Sequence, residues 1–390
     1  MRRWLQSKQT DTVIALIGAG LAIYLRISLL DFKSIDYFNY TKVWYNVLKA
    51  SGFGAFSGDF SNYNLPYLYL LYLVARFLPD VPALIATKIP SLVADFVAAW
   101  IMYRMVRLKY AESPLPIFAG LALLFAPTVV LNSAFWGQAD AIYAAASLAC
   151  VYFLLCQKPT HAMLWLGMAL AIKAQAIFLL PLVVGLALRG EIPWKSLLVV
   201  PAVMLLALVP ALVAGRPLVN LLLIYPAQAG QYEQLSMHAP SALSWVPDSG
   251  RFYPYFYPAG LVLALTVALS FSLTLQRAPA NMTRDLVIVL AMISALMVPF
   301  FLPKMHERYF YLADVLSIAV ACYIPDLFLV PLLMISISFF SYQPTLFGVE
   351  PVPLGLLAFG NFALLIALGR HAIRRLFTPP PEPATTTALQ

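Results

Sequence analysis

Apolar residues run along this chain in blocks too long for a strand and too uniform for an amphipathic surface helix. The blocks are separated by short polar corners. The first spans residues 13–30, and a run of that length with a single charge, Arg26, close to its end predicts a membrane-crossing helix. Further spans are expected at 83–105, 115–131, 140–156, 195–214, 258–275, 286–302, 310–323, 327–340 and 352–368. Two stretches need separate treatment. Residues 66–78 are too short to span, and crossing there would put Arg104, Arg107 and Lys109 outside, so a juxtamembrane or re-entrant helix is expected. Residues 162–188 carry Lys173 and Gln175 near their middle. Two short helices meeting there spare the lysine a mid-membrane position that costs about 2.5–3.5 kcal/mol on insertion scales. The count is then about twelve spans, with a second interfacial helix at 41–50 in the first outer loop.

Composition agrees with this reading. Of 390 residues 62% are hydrophobic and 11% charged, and the mean hydropathy is +0.82, which excludes a soluble globular domain. The predicted class is therefore an all-α polytopic membrane protein. The net charge of +8 would suit nucleic acid, but Lys and Arg sit at the ends of apolar runs, as cytoplasmic loops require, so nucleic acid is not an expected partner. Arg2, Arg3 and Lys8 place the N-terminus in the cytoplasm, and an even number of spans returns the C-terminus there. Residues 1–369 read as one transmembrane domain and 370–390 as a cytoplasmic tail, disordered over its Pro- and Thr-rich end at 379–390. Cys150, Cys156 and Cys322 lie in apolar runs at no metal-ligand spacing.

With this orientation four polar segments gather on the outer face. They are Asp36 with Tyr37 and Tyr40; Trp136, Gly137 and Gln138 with Asp140; Lys173 with Gln175; and the turn Lys304-Met305-His306-Glu307-Arg308. A second outer loop, 215–257, adds Tyr225, Gln228, Gln231, Tyr232, Glu233, His238, Trp245 and Asp248. Asp140 could simply cap its helix, and Arg26 is expected to snorkel toward the surface.

One outer carboxylate opposite several cations suits transfer of a sugar from a lipid phosphate. The carboxylate takes the proton of an acceptor hydroxyl while Lys and Arg stabilise the departing phosphate. Asp36 would be the base, and Lys304, His306 and Arg308, with Lys173, would hold the phosphate. No Asp-x-Asp metal site and no Gly-rich phosphate loop is present, which disfavours a nucleotide sugar. A polymerase or ligase of lipid-linked glycans, and a transporter or flippase of such lipids, are the alternatives. No internal repeat of the kind transporters show is visible.

These residues resemble the GT-C superfamily of membrane glycosyltransferases, and most closely bacterial mannosyltransferases related to the enzyme that adds the second mannose to GPI anchors. The likeness covers about residues 10–325. It is carried by Ile35-Asp36-Tyr37, Tyr63-Asn64-Leu65-Pro66-Tyr67, Lys88-Ile89-Pro90-Ser91 with Asp95, Asn132 to Asp140, Lys173-Ala174-Gln175 and Lys304 to Tyr309. The His306-Glu307-Arg308 turn is also similar to the His-Glu-Lys turn of the asparagine-linked glycosylation glucosyltransferases. The resemblance implies an inverting enzyme in the cytoplasmic (inner) membrane that uses a polyprenyl-phosphate sugar, with Asp36 as base and Asp140 shaping the site. Tyr37, Tyr40, Trp136, Gln138, Asp140, Lys173, Gln175, Lys304, His306, Glu307 and Arg308 are then the expected substrate contacts. No cofactor is required; a divalent metal, if used, would sit between Asp36 and Asp140. A glycan or glycolipid would be the acceptor. The chain departs from the family at Leu65, where Pro-Pro is common, and at His238-Ala239-Pro240-Ser241 in the second outer loop, so acceptor identity does not carry over.

Overall fold

The computed structural model describes residues 2–229, 233–247 and 250–378. Gln231, Tyr232 and Asp248 of the second outer loop, and the tail from 379 to 390, lie outside the described residues.

The helices follow the apolar runs. α1 (Arg2–Ile27) is followed by the first outer loop with α2 (Lys42–Ser51) and α3 (Leu65–Phe77), the two juxtamembrane helices expected there. α4 (Ala83–Arg107) comes next, then α5 (Leu115–Phe125) and α6 (Pro127–Val130). The run 162–188 divides at Lys173, as its buried charge demanded, into α8 (Pro159–Ile172) and α9 (Leu180–Leu188), behind α7 (Asp140–Leu155). α10 (Trp194–Leu197), α11 (Val199–Leu206) and α12 (Val209–Val213) make one apolar length. α13 (Leu218–Leu222) and α14 (Ile224–Ala229) open the second outer loop. α15 (Tyr253–Arg277), α16 (Arg284–Phe301), α17 (Tyr311–Tyr323), α18 (Leu329–Phe347) and α19 (Leu354–Phe377) complete the chain. Sheet among the described residues is confined to two short parallel strands, β1 (Ser236–Met237) and β2 (Met305–His306).

Helix covers each of the twelve runs expected to span, but not all of them are long enough to cross a membrane. Among the described residues seven helices are long and apolar enough to cross a membrane by length and composition, and α5 with α6 and the turn to Trp136 makes an eighth, bent by 50°. α7, α8, α9 and α17, with 16, 14, 9 and 13 residues, are shorter than a bilayer's hydrocarbon core. α7 and α17 are buried along most of their length, so protein surrounds them where lipid surrounds a full span. Alanines at 141, 144, 145, 146 and 149 let neighbouring helices close on α7. Gly120 does the same for α5: a Cβ there would stand 3.0 Å from the Ala99 carbonyl oxygen of α4. The last helix continues to Phe377, so 370–377 is helical and not tail.

Candidate active site

The two corners that carry the candidate site share an unusual local geometry. Tyr37–Thr41, directly after Asp36, and Leu131–Trp136 are both π-helical turns, which widen the helix and swing its next side chains aside. Gly137 then adopts φ +83°, left-handed backbone that favours glycine, and Asn132 O accepts from both Gly137 N (3.1 Å) and Gln138 N (2.9 Å). The turn directs its side chains at Asp36. Trp136 Nε1 donates to Asp36 Oδ2 at 2.9 Å, and Gln138 Nε2 donates to the same oxygen at 2.5 Å. Oδ1 takes no donor among the described residues, so one carboxylate oxygen is held and the other is left to act.

Asp36 lines a cavity of about 510 Å³. Tyr40, Gln138, Lys173, Gln175, Lys304, His306 and Arg308 line it too, so eight of the twelve expected site residues meet at one space. Tyr37, Trp136, Asp140 and Glu307 stand behind the wall. Tyr37 is buried against Phe38, and Trp136 reaches Asp36 but not the cavity.

Asp140 is fully buried and does not cap α7. Its Oδ1 receives Lys173 Nζ in a close ion pair, and its Oδ2 accepts from Asn132 Nδ2 at 2.9 Å, with Arg308 Nε at 3.7 Å. Lys173 is therefore neutralised within the fold, boxed by Tyr63, Tyr143 and Tyr309 with ring centroids about 6 Å from Nζ. Arg308 stacks over Trp136, 5.4 Å from the ring centroid, and Nη1 donates to Glu307 Oε1 at 3.1 Å. Burial works against the Arg308 cation, but Glu307 and Asp140 outweigh it and hold the guanidinium above its ordinary value. Glu307 is pushed up by burial against the pull of Arg308. Glu307, an expected contact, thus stands in a buried pairing with the arginine beside it.

Lys304 takes φ +62°, rare for a residue with a side chain, and its Nζ lies 4.8 Å from the Tyr257 ring centroid. Strand pairing imposes that backbone: Lys304 N donates to Leu235 O, and Met305 and His306 pair with Ser236 and Met237. Burial drives the His306 imidazole down to about 2, helped by Arg308, Lys173 and His238, so it is neutral at physiological pH. Unfolded, it would titrate near 6.5. The unfolded chain therefore binds a proton that the folded one refuses, and this contribution to stability is lost as pH falls below about 6.5. Glu307, raised, acts in the opposite sense. Melting of purified protein against pH should accordingly show a shallower acid decline in His306→Asn than in the wild type; parallel curves would contradict it.

Several lining residues were not among the expected substrate contacts, although all but Asn62 had been named in the loops or motifs that carry them. Asn62, Tyr63, Asn64 and Tyr67 face the cavity from the end of the first loop, and Tyr225 and Gln228 reach it from the second. Gln228 Nε2 ties the two loops, donating to Asn62 O (2.8 Å) and Asn64 Oδ1 (3.1 Å). Gln175 Oε1 is buried without a hydrogen-bond partner. The Tyr63-Asn64 pair stood in the quoted resemblance, and that was its sequence signal. Ile177, Leu261 and Leu302 make the cavity's apolar side, and Ile177 and Leu261 are exposed. Arg26 does not snorkel: it is buried and bonded to Asp95. Asp59, in the first loop, is paired with Arg216. Among the described residues no three His, Cys, Asp or Glu side chains converge as metal ligands.

Comparison with solved structures matches the chain to ArnT from Cupriavidus metallidurans bound to undecaprenyl phosphate, with a TM-score of 0.55 over 93% of this chain and 78% of that one. The chain has the ArnT fold. At 14% identity the likeness is one of fold, that of an all-α polytopic membrane protein as expected from the residues above. No family model and no curated protein matches the chain.

Proposed function

We propose that the protein is an inverting glycosyltransferase that moves a hexose, with mannose favoured, from a polyprenyl-phosphate donor to a hydroxyl of a glycan or glycolipid acceptor. One observation carries this reading: Asp36, with one oxygen fixed by two donors, shares a single cavity with Lys304, His306 and Arg308. Asp36 takes the acceptor hydroxyl proton as the acceptor oxygen bonds to the anomeric carbon. The bond from that carbon to the phosphate oxygen breaks, its electron pair leaves with the polyprenyl phosphate, and the anomeric configuration inverts. Arg308, Lys304 and the neutral His306 stabilise charge growing on the phosphate. Lys173, matched by Asp140, contributes position more than free charge. The ArnT neighbour, solved with undecaprenyl phosphate, supports a lipid-phosphate donor. The positive-inside distribution supports an inner-membrane protein with this cavity on the periplasmic side and both termini in the cytoplasm.

Both Asp140 oxygens already face nitrogen donors, and Asp36 Oδ2 accepts two, which supports transfer without a bridging metal. The test is purified protein in detergent with acceptor lipids and labelled polyprenyl-phosphate mannose or, separately, glucose. Label should pass from one donor with inversion, without any gradient, and at the same rate after chelation by EDTA. With the protein reconstituted in vesicles, label that moves across the bilayer without forming a new glycoside would make the protein a transporter. Abolition by EDTA, restored by a divalent ion, would overturn the metal-free chemistry.

A further inference from the structure

The motif Lys88-Ile89-Pro90-Ser91 with Asp95 has no part in the chemistry above, yet three of its polar side chains are buried. Residues 88, 91 and 95 are spaced three and four apart on α4, which places them on one helical face. Each meets the Trp136 turn. Lys88 Nζ donates to Phe135 O at 3.0 Å, Ser91 Oγ to Gln138 O at 2.6 Å, and Ser133 Oγ to Asp95 Oδ2 at 2.5 Å. The same face also holds the segment that leads to Asp36. Lys88 Nζ donates to Leu30 O (2.8 Å) and Phe32 O (2.9 Å), and Asp95 Oδ2 accepts from Arg26 Nε at 2.9 Å. Phe32 stacks on Phe135 with centroids 3.7 Å apart, and Ser34 Oγ donates to Trp136 O. Gly137 lies so close to the Lys88 stem that a Cβ would stand 3.3 Å from its Cγ.

We infer that Lys88 is a positioning residue for Asp36: its ammonium joins three backbone carbonyls, two before the acid and one beside its indole donor, and so sets the distance between the base and the groups that orient it. Its three donors are matched by three acceptors, which leaves none for a phosphate. A lysine is suited to this junction because an apolar side chain of equal length would leave three carbonyls without that donor. Ser91 trims the same alignment at Gln138, one residue beyond the glycine.

The inference rests on the proposed transfer, and its test separates the two. In Lys88→Met the amides of 131–138 and 30–40 should exchange hydrogen faster than in the wild type, whatever the protein catalyses; unchanged exchange would overturn the clamp. Absence of sugar transfer by the wild type would sink the function and leave the exchange result standing. In the transfer assay kcat should fall by about ten- to a hundredfold, as a misplacement on the order of 1 Å produces, with the donor KM within about twofold. The same substitution in a Trp136→Phe, Gln138→Leu background should cost less than about threefold, because the contacts Lys88 aligns are already gone. A KM rise at constant kcat, or a full additive loss in that background, would make Lys88 a ligand contact or a plain structural residue. Where Lys88→Met does not fold, Ser91→Ala removes one bond and should lower kcat about three- to fivefold by the same partial misalignment; wild-type kcat in Ser91→Ala would overturn the clamp.

Discussion

Asp36→Asn should abolish transfer while the protein folds normally. The substitution keeps the size of the side chain and removes the group that can accept a proton. Trp136 Nε1 and Gln138 Nε2 both donate to Asp36 Oδ2, and an asparagine oxygen can still accept one or both, so the two π-helical turns keep their contact. A positioned general base contributes about a hundred- to ten-thousandfold in rate. kcat should fall by that factor with the donor KM and the melting temperature close to wild type, read from labelled donor and from thermal unfolding in detergent. Retained transfer would remove Asp36 as the base. Asp140 and Glu307, the carboxylates behind the cavity wall, are poorly placed to replace it, because the Asp140 oxygens are taken by Lys173 and Asn132 and Glu307 is paired with Arg308.

The second large effect falls on that pair. Asp140 is fully buried and the Lys173 side chain is 8% exposed. Breaking a buried pair by removing one partner strands the other charge, a loss of about 3–5 kcal/mol. Lys173→Met or Asp140→Asn should therefore lower the melting temperature and folded yield sharply. The double variant, with neither charge, should recover most of the stability, as buried pairs replaced by neutral groups of like volume commonly do. Its transfer rate should stay low, since Arg308 also leans on Asp140 and stacks over Trp136. Single variants that melt like the wild type would show that the pair does not hold the site.

These results also mark what a sequence can disclose. The division at Lys173 was legible because a charge in the middle of an apolar run has few affordable places, and the helix break with a buried carboxylate partner is one of them. The Trp136-Gly137-Gln138 corner was legible because a polar, glycine-containing segment between two spans must leave the lipid. The Arg26–Asp95 bond was not. Its partners are 69 residues apart, and a charge near a helix end satisfies the snorkelling rule whether or not a carboxylate waits on the next helix. The unequal lengths of the spans were hidden for a related reason. Hydropathy reports only that a helix avoids water, and α17, surrounded by protein, reads like α15, whose side chains are widely exposed. The pairing of Glu307 with Arg308 was obscured because four ionisable residues in one turn look alike until the backbone turns some of them inward.

The apolar side of the cavity, where Ile177 and Leu261 are exposed, has a consequence for how the protein meets its substrates. On the proposed chemistry a prenyl chain can arrive through that side without leaving the hydrocarbon, so encounter is a search in two dimensions. Turnover would then follow the mole fraction of donor in the bilayer or micelle and ignore its concentration in the bulk solution. Adding inert lipid at constant donor would slow the enzyme by surface dilution alone.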